Sequence, residues 1–85
     1  MEKRADLNVQ VFENATWEDT YCVHAGDHVT WEWSGAAHGL GLIDHREGIA
    51  HHRDEWGKWC DAGGRQIIWG CGNGITITIR RPTAA

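Results

Sequence analysis

A chain of 85 residues with a formal charge of −4 forms a single domain with a thin core, and it lacks the basic footprint of a nucleic-acid binder. No apolar run approaches the ~20 residues of a membrane span. The opening "MEKRADLNVQ" is charged and polar where a secretory signal needs an apolar stretch, so the expectation is a cytoplasmic protein, or a secreted one if a signal has been removed.

In chain order, "LNVQVF" (7–12) alternates Leu7, Val9 and Val11 with polar residues, which predicts a half-buried strand. "YCVH" (21–24) alternates in the same way, and "AGD" (25–27) is a turn signal before "HVTWEW" (28–33). There Val29, Trp31 and Trp33 share one face, while His28, Thr30 and Glu32 share the other. "HGLGLI" (38–43) is a further strand candidate. Between Asp44 and Asp61 the alternation stops, and Ile49, His52 or Arg53, Trp56, and Trp59 or Cys60 recur at helical spacing, so a short helix or a long loop is expected. "RQIIWGC" (65–71) predicts a strand that Asn73-Gly74 turns, through a type I′ hairpin, into "ITITIR" (75–80). The expected fold is all-β: a small antiparallel Greek-key β-sandwich or barrel of about six strands, with one irregular or short helical segment around 45–60. It occupies residues 1–85 as one domain.

"VHAGDHVTWEWSGAAHGLGL" (23–42) resembles the central stretch of cupredoxins of the halocyanin and plastocyanin type. In those proteins a strand, a Gly-centred turn, "VTWEW" and a Gly-rich bend lead to the first copper-binding histidine. "IIWGC" (67–71) resembles their penultimate strand and "ITITIR" their closing strand. The resemblance implies a Greek-key sandwich, with His38 in the place of the first histidine ligand and Cys71 in that of the thiolate. A blue copper centre needs a second imidazole and a weak axial ligand. Here Cys71 runs through "GNG" into the last strand, no histidine follows His52, and the only methionine is Met1. The expectation is a cupredoxin-like scaffold without the copper-ligand loop. An immunoglobulin-like pattern competes for the same sandwich: Cys22, Trp33 and Cys71, with Trp69 in place of the usual tyrosine.

Six histidines invite a second metal hypothesis. Alternation places Cys22, His24, His28 and Glu32 on one polar side, and His24 and His28 flank the turn at 25–27, where zinc or copper could bind. The plainer alternative is a solvated strand face, and no resident cofactor is required. Cys71 reads as a small buried hydrophobe. Cys60-Cys71 or Cys22-Cys71 pairing would follow only in an oxidising compartment. Ser34 sits in a Gly-rich bend without a nucleophile elbow, so catalysis is not expected.

The remaining signal is tryptophan. Trp31, Trp33 and Trp69 fit core positions, while Trp17, Trp56 and Trp59 lie among polar residues. Trp56, Trp59 and Arg53 are therefore the candidate binding residues, since aromatic and Arg side chains anchor interfaces. The expected function is recognition of a protein partner, without nucleic acid or membrane. The alternatives are a metal-binding or electron-transfer protein with an altered site, and a carbohydrate-binding module.

Overall fold

The computed structural model describes residues 7–35, 39 and 43–82. The elements in order are β1 (Leu7–Glu13), a 3-10 helix (Trp17–Cys22), β2 (His28–Ser34), β3 (Ile43–Ile49), β4 (His52–Arg53), β5 (Trp59–Cys60) and β6 (Ile75–Pro82). Four strands form one antiparallel sheet in the order β1-β6-β2-β3, and β4 and β5 form a second, two-stranded sheet. The fold is thus all-β, with six strands among the described residues, in keeping with the expected class and strand number.

The register of β2 and β6 builds the core. Val29 lies opposite Ile79, Trp31 opposite Ile77 and Trp33 opposite Ile75, so the apolar positions of both strands share a face. That face packs on Ala15, Val23, Ala50, Trp59, Ile67 and Ile68. The chain from 50 to 71, which carries the small sheet, therefore forms the second layer. Full burial of each such isoleucine contributes about 1.5–3 kcal/mol before conformational entropy is subtracted.

Four expectations are corrected. Residues 21–24 are not a strand. Thr16 Oγ1 accepts from Asp19 N–H at 3.3 Å and Asp19 Oδ2 accepts from Thr16 N–H at 2.8 Å, a reciprocal cap that starts the 3-10 helix and leaves Tyr21 exposed. Residues 44–61 are not a helix. Asp44 to Ile49 extend β3, whose partner is β2, and Asp54 closes the β4–β5 hairpin by accepting from the N–H groups of Trp56 and Lys58. Residues 65–71 form no ladder with β6. Ile67 donates to Trp59 O instead, and Ile67 and Ile68 are both buried in succession, where a strand covered on one face would alternate. In β1, Val9 and Val11 point outward and are 53% and 56% exposed, whereas Phe12 packs against the core.

The Asn73-Gly74 turn is real, but of another type. Ile75 N–H donates to Gly72 O, and only Gly74 of the central pair has positive φ, at +86°. That is the type II pattern, with glycine in its third position. Gly74→Val should destabilise the fold by about 1 kcal/mol or more, because a β-branched side chain resists positive φ. An unshifted denaturant midpoint would contradict this.

Candidate functional site

Two concavities on the described surface are candidate sites. The larger, about 450 Å³, is walled by small side chains and backbone from Ala25 to Gly26, Gly48 to His51 and Asp61 to Gly63. Asp61 Oδ1 there is already engaged by the N–H groups of Gly63 and Arg65, and Ile49 and His51 are its larger side chains. The smaller concavity, about 300 Å³, is lined by Trp31, Trp33, Asp44, Trp69, Gly70 and Ile75. Ligand pockets combine apolar walls with a few polar groups; the second is distinguished by having aromatic walls, the indoles of Trp31, Trp33 and Trp69.

Each wall is positioned by the fold. Trp31 and Trp33 stand two residues apart on the inner face of β2, and Asp44 lies opposite Trp33 on β3. Trp31 is nearly buried, and its Nε1–H donates to Gly70 O at 2.8 Å, which ties the strand to the segment opposite. Trp69 follows two buried isoleucines, so it is pushed to the rim and is 52% exposed. Its ring stands at 89° to that of Trp31, with centroids 6.4 Å apart. The guanidinium of Arg46 lies 4.6 Å from the Trp69 centroid and donates to Gln66 O at 3.2 Å. Asp44 Oδ1 accepts from His45 N–H at 2.9 Å.

The structure places the tryptophans differently from the sequence expectation. Trp33 and Trp69, expected in the core, are half-buried and exposed respectively, and both line the pocket. Trp59, expected at a binding surface, is a core residue whose Nε1–H donates to Thr20 O. Trp56 is 68% exposed. Arg53 is exposed and lays its guanidinium over Tyr21 and Trp59, at 5.0 and 5.2 Å. Trp69 and Asp44 gave no separate signal, because the first read as a strand interior and the second as the start of a loop.

The metal candidates separate. His38 lies outside the described residues. All three cysteines are free thiols. Burial, then the Asp19 carboxylate, push the Cys71 thiol up to about 11, so the free thiol is a weak nucleophile. His24 is exposed at the turn, where its N–H donates to Asp27. Among the described residues no group of three or more His, Cys, Asp or Glu side chains is arranged to hold a metal ion.

His28 instead belongs to a chain of contacts on the outer face of the large sheet. Its Nε2 lies 3.0 Å from Glu47 Oε2, the other Glu47 oxygen lies 2.9 Å from His45 Nε2, and His45 Nδ1 lies 3.3 Å from Glu32. Hydrogen bonds to Glu47 and then Glu32 raise the pKa of His45 above the ordinary 6.5. Hydrogen bonds from His45 and His28 lower that of Glu47 below 4.5. A raised histidine stabilises fully below pH 6.5, and the effect fades as pH rises through the folded value. A lowered carboxylate stabilises above pH 4.5, and that effect fades as pH falls through its folded value. His45→Gln should therefore lower the urea midpoint more at pH 5.5 than at pH 8.5. A loss equal at both would remove the network as a source of stability.

No helix among the described residues is long and apolar enough to cross a membrane. Comparison of the chain with protein-family models, with curated proteins and with solved structures finds no match.

Proposed function

We propose that the protein is a small, non-catalytic recognition module on a cupredoxin-like scaffold, and that it takes a protein partner at the tryptophan-walled pocket between β2, β3 and the segment at 69–70. The observation that carries this reading is the convergence of three indoles and one carboxylate on a single concave surface. Large aromatic side chains around a pocket are the usual anchors of binding energy, and Trp69 keeps half its surface in water instead of completing the core.

The test is to screen the labelled protein by NMR against sugars, aromatic acids, organic cations and short peptides, following the indole N–H signals. Binding at this site shifts Trp31, Trp33 and Trp69 and leaves Trp56 unmoved, and Trp69→Ala removes the response. Shifts confined to Trp56, or no response from any class, would discard the site.

A further inference from the structure

We propose that β1 is a docking edge for a second copy of this chain, and that two copies pair β1 against β1, antiparallel, about a twofold axis at Gln10. This surface is separate from the pocket. In the strand order β1-β6-β2-β3, β1 and β3 are opposite edges of the sheet, and the pocket lies on the β2–β3 side. Among the described residues β1 pairs with β6 alone. Its other side therefore presents a row of backbone N–H and C=O groups, which an extended segment in matching register satisfies.

The two edges differ in what keeps other strands away. β3 reads IDHREGI, with Asp44, His45, Arg46 and Glu47 in succession and then Gly48, the charged make-up that blunts an edge. β1 reads LNVQVFE, without Lys, Arg, Pro or Gly, and its one formal charge, Glu13, stands at its end. Asn8, Val9, Gln10 and Val11 are all exposed, although they alternate between the two faces. Asn8 and Gln10 share the face of Phe12, which packs against the core. Their exposure shows that the second layer stops short of this part of the strand, which leaves room beside it for another backbone.

A second copy is the occupant that β1 fits. An axis at Gln10 sets Val9 opposite Val11 of the other copy, and Val11 opposite its Val9. Four valines then form one strip across the outer face of the seam, as β-branched cross-strand pairs. On the inner face Gln10 meets its own counterpart, and each primary amide can both donate and accept. This register holds the two Glu13 carboxylates six residues apart along the strands, about 20 Å. A parallel pairing would set them side by side. Self-pairing of β3 about its middle residue, Arg46, would oppose two guanidiniums. The β1 contact is isologous, so it closes at two copies and leaves both pockets open. A single strand pair is a small interface, so the dimer is weak and depends on concentration.

Sedimentation equilibrium of the full chain tests this over about 10 μM to about 1 mM, a range that spans weak affinities. The mass should rise from 9.6 kDa toward twice that value. Hydrogen exchange at the two ends of the range should show added protection at β1 amides and none at β3 amides, a readout that needs no variant. Gln10→Lys and Gln10→Glu each set like charges at the axis. Each should stay monomeric, and each should melt like the parent because Gln10 is exposed. Mixed in equal amounts, the two variants should associate at least about tenfold more tightly than either alone. A parent chain that stays monomeric throughout overturns the proposal. Protection at β3, or a dimer indifferent to both substitutions, overturns the choice of edge. A mixture that fails to associate overturns the axis at Gln10, and masses above two copies overturn the closed pairing.

Discussion

Replacing Asp27 with alanine should cost about 3 kcal/mol or more, because it breaks a paired charge that the fold has buried. Asp27 is 1% exposed. It accepts from Arg81 Nε at 2.9 Å and Nη2 at 2.8 Å, and from the His24 N–H at 2.7 Å. Arg81 also donates to Cys22 O at 2.7 Å, so one guanidinium ties β6 to the end of the 3-10 helix and to the turn before β2. Alanine would strand that guanidinium and leave the His24 N–H without its acceptor. The pair also has an acid signature. Burial alone would raise the Asp27 pKa, but the hydrogen bonds from Arg81 and His24 outweigh it and hold the carboxyl below its usual 3.8. Its contribution is present above that value and lost as pH falls through the folded one. Urea unfolding at pH 7 measures the cost. A loss under about 1 kcal/mol would mean that solvent replaces the carboxylate and that the pair does not organise the turn.

The second large effect concerns two tryptophans three residues apart. Trp59→Ala should cost about 3–5 kcal/mol, since it empties a site in the middle of the second layer. Trp59 packs with the buried isoleucines, and its Nε1–H is 3.2 Å from Thr20 O. Trp56→Ala should stay within about 0.5 kcal/mol, because that ring stands on the exposed turn of the β4–β5 hairpin. Parallel thermal melts decide between this and the reverse pattern. If the two variants lost stability equally, Trp59 would not be the centre of the layer.

Period-two patterns made β2 and β6 legible because their apolar positions share one inner face, and β1 was legible by the same alternation although its valines face outward. They failed for β3. Its inner positions are Asp44, Arg46 and Gly48 and its outer ones include His45 and Glu47, so both faces are polar and no alternation survives. What identifies β3 is its partner, which a single segment cannot display. At 21–24 the alternation was accidental. The local signal was the pair Thr16 and Asp19 at capping spacing, which outranks a four-residue pattern. Residues 65–71 read as a strand because they are apolar, yet Ile67 and Ile68 enter the core together, and this displacement carries Trp69 out to the pocket rim. The candidate pocket was therefore hidden by the same irregularity that forms it, because Trp69 reaches its rim through a non-strand backbone. In β1 the alternation predicts a half-buried strand, and its valines, Val9 and Val11, lie on the outer face.

The strand order has a consequence for how the molecule is made. β6 lies between β1 and β2 and pairs with both, and β1 has no other neighbour in the sheet. On a ribosome, β1, β2 and β3 emerge before the strand that joins the first of them to the rest. At roughly 5–20 residues per second, some seconds pass between the appearance of Glu13 and that of Pro82. Throughout that interval β1 is an unpaired ribbon carrying Val9 and Val11, and Ile75, Ile77 and Ile79, three members of the core, do not yet exist. The large sheet is therefore completed only after its last strand has left the exit tunnel, and closing it joins residues nearly the whole length of the described chain apart, Leu7 to Pro82.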